Sequence, residues 1–152
     1  MLRATQFVAT VPLLILLAAL APAQEKKGDA KKDLEKLQGK WATVSRVVDG
    51  VPDGPDVVKK LSLVVKDHKM TSSLMGQAEW TGSVKIDPSK SPAQIDITFE
   101  GGALKGLTVK GIYKFEGETL ALCTGVPGGD RPKEFASKKG SNVGLKKLKR
   151  AK

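Results

Sequence analysis

The stretch GIYKFEGETLALC, residues 111–123, is typical of a tight β-hairpin. Apolar and polar side chains alternate on both sides of Gly117, so each half can present its apolar residues on one face of an extended strand. Gly117 supplies the turn, because glycine readily adopts the positive φ angles that tight hairpins need. The residues on the apolar face are Tyr113, Phe115, Leu120 and Leu122. The stretch therefore predicts antiparallel strands with one buried face, and Ile112 is an apolar exception on the other face.

The same period of two recurs along most of the chain. Residues 78–86, for example, place Ala78, Trp80 and Val84 on one face, and clusters of Gly, Pro and Asp separate such segments. Strands are predicted over 40–48, 60–66, 69–75, 78–86, 94–100, 106–115, 118–124 and 143–150, with a short additional piece at 133–137. Eight strands joined by short turns predict an all-β, up-and-down antiparallel barrel, because closure buries the apolar face and removes exposed sheet edges.

The composition agrees with a small globular domain and excludes several kinds of site. The chain has 152 residues, 40% of them hydrophobic, which favours a single domain. One His and one Cys exclude a zinc cluster built from those residues and an intrachain disulfide. The sequence contains no nucleotide-binding loop, Gly-x-Ser-x-Gly or His-Glu-x-x-His motif. A non-enzymatic domain is therefore favoured, and no cofactor is expected.

The first 23 residues are typical of a signal peptide. Arg3 precedes an apolar stretch at 7–20, and residues 21–23 (Ala-Pro-Ala) have the small-x-small form of a signal-peptidase site. The apolar stretch is shorter than the roughly 20 residues that span a bilayer, so cleavage before Gln24 is favoured over a membrane anchor. We expect export to the periplasm or the extracellular space, with no transmembrane segment after cleavage.

Residues 24–36 are predicted to form a charged spacer that enters a short helix, followed by the barrel domain over 37–152. Asp29 is a candidate N-cap for a helix over 30–37. A helix of this length is not stable alone, so its two leucines are expected to dock on the barrel.

Both ends of the predicted barrel contain residues that resemble the lipocalin and calycin signature. The run LQGKW places Gly39 and Trp41 at the start of the first strand, and Arg150 closes the last strand within LKKLKR. In that superfamily the tryptophan plugs one end of an eight-stranded barrel and the arginine packs across it. The resemblance therefore implies that Trp41 and Arg150 form a barrel-closing pair, in which a guanidinium lies over an indole.

A wider resemblance covers nearly the whole chain after the spacer. The runs LQGKW, GIYKFEGETLALC, RPKEFASKKGS and LKKLKR are similar to those of a family of uncharacterised, lipocalin-like secreted domains in planctomycete bacteria. This resemblance implies a fold and a compartment, but it implies no activity, ligand or functional residue.

The predicted interior is a candidate binding site for a small apolar or amphipathic molecule. Trp80, Phe99 and Tyr113 are the candidate lining side chains. Gly82 and Gly111 also fall on inward phases, where they either leave space for a ligand or relieve crowding at a strand bend. The other residues predicted to face inward, besides the hairpin residues above, are Leu61, Leu63, Val65, Leu74, Val84, Ile86, Ile95, Ile97, Leu107 and Val109.

Histidine, cysteine and acidic residues often serve in catalysis or metal binding, but their spacing in this sequence indicates no such site. His68 lies in a predicted turn, and an exposed turn histidine is the favoured interpretation. Cys123 ends a predicted strand and is interpreted as a small, partly buried residue, the alternatives being a reactive thiol or an intermolecular disulfide. The acidic residues Glu79, Asp96, Glu100, Glu116 and Glu118 fall on polar phases or in turns, which favours solubilising positions over acid–base catalysis.

Positive charge is concentrated at the C-terminal end of a chain with a formal net charge of +10. Residues 131–152 contain nine basic residues and one acid, whereas residues 24–130 contain sixteen basic and fifteen acidic residues. A second hypothesis is therefore an interaction or adhesion module that binds an anionic surface, an anionic polymer or a protein partner. Its candidate basic patch comprises Lys138, Lys139, Lys146, Lys147 and Lys149. A solvated lysine-rich face is the alternative, and the absence of a nucleic-acid motif argues against specific nucleic-acid binding.

Overall fold

The protein is described by a computed structural model over residues 27–152. The signal peptide predicted over 1–23 and the start of the predicted spacer lie outside the described residues. Helix α1 spans Lys27–Leu37, helix α2 spans Pro55–Val58, and a short 3-10 helix spans Gly102–Leu104. The strands are β1 (Gly39–Val48), β2 (Val51–Pro52), β3 (Leu61–Lys66), β4 (Lys69–Leu74), β5 (Gln77–Asp87), β6 (Ala93–Phe99), β7 (Thr108–Glu116), β8 (Thr119–Pro127) and β9 (Gly144–Arg150).

Eight strands close into one antiparallel barrel. Strands β1 and β3 to β9 pair in sequence order, and β9 pairs back with β1, where Trp41 lies opposite Arg150. Strand β2 is a two-residue extension that pairs with the last residues of β1. Because the first and last strands pair, the barrel has no open edge at that seam. The predicted all-β, up-and-down barrel with a short N-terminal helix is confirmed.

Apolar side chains fill the barrel at the end that α1 covers, which we call the closed end. Leu37, the last residue of the helix, is fully buried there. The residues of this core are Leu37, Trp41, Leu63, Val65, Met70, Val84, Ile95, Ile97, Tyr113, Leu120, Leu122 and Leu148. Burial of apolar area stabilises a fold by about 25 cal/mol per Å². The core therefore anchors both the helix and the seam between β1 and β9.

A β-bulge in β1 changes which residues face the interior at the opposite end, which we call the open end. The register with β9 slips between Thr43 and Ser45, so Val44 is an extra residue, and its side chain is 56% exposed. A bulge reverses the inward and outward phases of the residues that follow it. Arg46 and Val48 consequently face the interior.

A second bulge, in β5, interrupts the alternation that the sequence predicts over residues 78–86. Trp80 lies opposite Ser72 and Ala78 lies opposite Ser73, so Glu79 is the extra residue between them. Ala78 is exposed and Trp80 is half-buried. The prediction that these two residues share one face is therefore wrong, because the bulge separates their phases.

Two further predictions differ from the structure outside the strands. Leu107 was expected to face inward, but it lies in the connection before β7 and is 45% exposed. The expected short strand at 133–137 is absent from the described structure, where residues 128–143 run as an irregular segment, the outer loop. Residues 133–137 and Leu107 lie outside the paired strands, so a period of two does not predict which way their side chains face.

The outer loop explains the apolar exception in the opening hairpin. Ile112 lies opposite Cys123 on the outer face of β7 and β8, and their exposed fractions are 1% and 0%. The Cys123 thiol donates to the carbonyl oxygen of Glu134, with Sγ 3.5 Å from that oxygen, so the loop passes over this face. Arg131 ties the loop down, because its guanidinium donates to the carbonyl oxygen of Gly111 at 2.6 Å.

Candidate functional site

The structure brings the predicted closing pair together at the closed end. The Arg150 guanidinium carbon lies 4.3 Å from the centroid of the Trp41 ring. Arg150 also donates hydrogen bonds to the carbonyl oxygens of Lys36, in the last turn of α1, and of Gln38, the residue that follows the helix. The Trp41 indole donates to the carbonyl oxygen of Leu37 at 2.9 Å. The pair therefore satisfies the carbonyl groups at the end of the helix and seals this end of the barrel.

Tyr113 also belongs to the closed end. Its hydroxyl donates to a carboxylate oxygen of Asp33 on α1, at 2.8 Å, while its ring is 1% exposed. Burial, followed by the neighbouring Asp33 carboxylate, raises the pKa of Tyr113 well above its usual value. The phenol is therefore a hydrogen-bond donor that docks the helix on the barrel.

A cavity of about 270 Å³ occupies the open end, and we call it the mouth cavity. Its size is near the lower limit of ordinary small-molecule sites, which are roughly 300–1,000 Å³. Most of its wall is apolar, and its polar contributions come from Thr124, Asn142 and two cationic side chains. The apolar side chains of the wall are Val48, Trp80, Ile97, Phe99, Leu104, Val109, Leu122, Val126 and Pro127.

The two cationic side chains are Arg46 and Lys146, which lie opposite each other on β1 and β9. Arg46 pairs through its Nε with a carboxylate oxygen of Asp53. Lys146 donates from Nζ to the hydroxyl of Ser72 at 3.3 Å, and Ser72 in turn donates to Glu79 at 3.0 Å. Each cation of the wall is therefore held by a polar partner that lies outside the wall.

Lys146 has a pKa below that of a free lysine. Burial lowers its pKa, and repulsion from Arg46 lowers it further, whereas Glu79 and Asp53 act in the opposite direction. The ammonium also lies 5.8 Å from the centroid of the Trp80 ring. A positive charge held beside an indole and an apolar wall has lost part of its hydration, which strengthens its attraction for an anion.

The residues predicted to line a ligand site do not all meet at the mouth cavity. Trp80 and Phe99 line it, with ring centroids 5.6 Å apart in an edge-to-face arrangement. Tyr113 lies in the core of the closed end, as described above. Gly82 and Gly111 lie at close strand contacts, where a Cβ would stand 2.8 Å and 2.7 Å from neighbouring carbonyl oxygens. These glycines therefore permit close packing and do not widen the cavity.

The structure also divides the predicted basic patch. Lys146 faces the interior, because it shares an inward phase with the fully buried Leu148. Lys147 and Lys149 face outward on β9 and are exposed. The other two members, Lys138 and Lys139, are exposed on the outer loop. The five lysines therefore do not form one surface.

Sequence reasoning missed three of the residues that shape the interior, namely Arg46, Met70 and Ser72. Met70 and Ser72 are fully buried on the inward phase of β4, and the pairing of β4 with β3 could have suggested this from the run Lys69–Leu74. Arg46 faces the interior because of the bulge in β1, for which the sequence contains no visible signal. Polar residues at bulges are therefore the part of the site that alternation alone does not predict.

His68 and Cys123 lie apart from the mouth cavity. His68 is exposed in the turn between β3 and β4, as the sequence suggested. Cys123 is fully buried beneath the outer loop, and burial raises its pKa to about 11. Within residues 27–152, no three His, Cys, Asp or Glu side chains are grouped so that they could hold a metal ion.

Cys123 is expected to be inert toward thiol reagents in the native protein. At about pH 8, a thiol with this pKa is ionised to the order of one part in a thousand, and its sulfur is covered. Labelling with iodoacetamide, followed by mass spectrometry, should show modification only after denaturation. Rapid native labelling, at a rate similar to that of glutathione in the same tube, would contradict the described burial.

The similarity searches do not assign the chain to a family. No family model matches it, and neither a curated protein nor a solved structure shows significant similarity to it. In the described range 27–152, no helix has both the length and the apolar character required to cross a bilayer.

Proposed function

We propose that this chain is an exported, lipocalin-like binding protein that holds a small apolar or amphipathic molecule in the mouth cavity. The observation that carries the proposal is the unequal filling of the barrel. The closed end is packed by buried side chains, whereas the open end encloses about 270 Å³ between largely apolar walls. Apolar walls with a few oriented polar groups are the usual character of small-molecule sites.

The rim of the mouth cavity supports the proposal. Val48, Leu104 and Val126 line the cavity while their side chains are 47%, 42% and 44% exposed. They come from β1, the 3-10 helix and β8, so the apolar surface continues outward from the interior. A bound molecule would cover part of this surface, which is a favourable change in water.

Export is the part of the proposal that rests on sequence. The apolar stretch at 7–20 and the Ala-Pro-Ala site at 21–23 support it, and N-terminal sequencing of the protein recovered from its native cells tests it. A mature chain that begins at Gln24 is expected. A chain that retains Met1 would argue against the proposed export.

A neutral dye tests the mouth cavity directly. Gly144 lines the cavity on β9, and a Cβ there would have its nearest neighbour, the Thr124 hydroxyl, at an ordinary 3.7 Å. Gly144→Phe should therefore fill the cavity with an aromatic ring without backbone strain. Titration with Nile red should give saturable fluorescence enhancement with the wild-type protein and none with Gly144→Phe.

The matched control is Gly54→Phe. Gly54 precedes α2, is exposed, and has no atom within 4 Å of an added Cβ, so this variant gains the same side chain away from the cavity. It should bind Nile red as the wild-type protein does. Equal dye binding by all three folded proteins, checked by circular dichroism, would overturn the proposed cavity function.

A further inference from the structure

The charged groups that face the mouth cavity all have the same sign. Of the residues in its wall, Arg46 and Lys146 are charged and both are cations. The carboxylates nearest to them, Asp53 and Glu79, do not belong to the wall. The wall therefore combines a positive edge with an apolar remainder.

Lys146 has hydrogen-bonding capacity left over. An ammonium group has three donors, and within residues 27–152 Nζ donates one hydrogen bond, to the Ser72 hydroxyl at 3.3 Å. Within residues 27–152, no carboxylate oxygen forms an ion pair with it, since Glu79 is reached only through Ser72. Lys146 lines the cavity, and its ammonium lies 5.8 Å from the centroid of the Trp80 ring, which offers no hydrogen-bond acceptor atom.

Arg46 adds a second cation to the same edge. It lies directly opposite Lys146 in the β1–β9 register, and like charges at such positions repel. A carboxylate oxygen of Asp53 forms an ion pair with the Nε of Arg46, and this negative charge offsets part of the repulsion between the two cations. An anion placed between the two cations would offset the rest and would accept charge-assisted hydrogen bonds, which are about twice as strong as neutral ones.

We infer that the mouth cavity selects small amphipathic carboxylates, with the carboxylate held by Lys146 and Arg46 and the apolar tail against Trp80, Phe99 and the aliphatic wall. This inference rests on the proposed cavity function and narrows its ligand class. The wall contains no carboxylate that could favour a cationic ligand, and its two cations disfavour one. Charge complementarity thus specifies the head group, whereas the apolar wall accepts the tail.

The test compares decanoate with decanol, which have the same number of carbons but differ in charge at neutral pH. Both are titrated below their aggregation range by displacement of Nile red and by calorimetry. The wild-type protein should bind decanoate more tightly than decanol. Lys146→Met should weaken decanoate binding by about ten- to a hundredfold, the range for loss of a hydrogen bond to a charged group, and leave decanol binding nearly unchanged.

Lys147→Met is the matched control, because Lys147 is the next residue on β9 and faces outward. It removes the same charge from the protein and should leave decanoate binding unchanged. Lys146→Gln serves as a second variant if Lys146→Met does not fold. Lys146→Arg keeps the charge and should retain most of the preference for decanoate.

The possible outcomes separate this inference from the proposed function. If decanoate and decanol bind equally, or if Lys146→Met and Lys147→Met weaken decanoate to the same extent, the head-group inference is overturned while the cavity function stands. If neither compound binds and Nile red shows no saturable signal, the proposed function itself fails. Selective loss of decanoate binding in Lys146→Met alone supports both.

Discussion

Trp41→Ala is expected to lower the free energy of unfolding by about 3–5 kcal/mol, the range for truncating a large buried aromatic side chain. The side chain is 2% exposed, so its removal leaves a cavity at the closed end. It also removes the hydrogen bond to Leu37 and the Arg150 contact over the ring, which adds about 0.5–2 kcal/mol in such pairs. Urea denaturation followed by far-ultraviolet circular dichroism measures the change.

The other tryptophan provides the control for this prediction. Trp80 is half-buried at the open end and lines the mouth cavity, so Trp80→Ala should cost clearly less stability. Trp41→Phe retains a ring against Phe115 and covers the case in which Trp41→Ala does not fold. If Trp41→Ala and Trp80→Ala lose the same stability, the closed end is not the anchor of the fold that we describe.

Gly111→Ala is expected to lower the free energy of unfolding by about 1–3 kcal/mol, which is typical of forcing an extra group into a packed interior. A Cβ at Gly111 would stand 2.7 Å from the carbonyl oxygen of Cys123 and 3.1 Å from the side chain of Ile95. The first of these atoms belongs to the paired strand β8 and cannot move without disturbing the ladder. Chemical denaturation of the purified variant measures the loss.

Gly144→Ala is the matched control, because Gly144 is also a strand glycine on an inward phase. Its added Cβ has room, and glycine in a strand costs roughly 0.5–1 kcal/mol relative to alanine. This variant should be unchanged or slightly more stable. Equal stability of Gly111→Ala and the wild-type protein would mean that Gly111 does leave free space, which the sequence had left open.

Much of the fold was predictable because the barrel is built from local patterns. Each predicted main strand is present, and the alternation in the hairpin around Gly117 agrees with the burial of Tyr113 and Leu120. Short antiparallel turns keep sequence neighbours adjacent in space, so the strand order follows the chain. The path of the outer loop was harder to predict from the sequence, because the loop residues that cover Ile112 and Cys123 are not their neighbours along the chain.

The candidate site was only partly predictable, for the same reason. Trp80 and Phe99 were identified from alternation and do line the mouth cavity. Tyr113 has the same inward phase but lies at the closed end, because its position along β7 places it beside Asp33. A period of two determines which face a residue takes, but not the depth at which its side chain lies in the barrel.

The sequence by itself determined the all-β class, the order of the strands and the faces of their regular parts, because alternation and turn residues act between near neighbours. Only the tertiary structure decided where positive charge enters the interior. The bulge at Val44 turns Arg46 inward, and closure of β9 on β1 places Lys146 opposite it. That placement depends on a register between strands about a hundred residues apart, so one cation of the basic C-terminal segment, Lys146, faces the interior while several others are exposed on the surface.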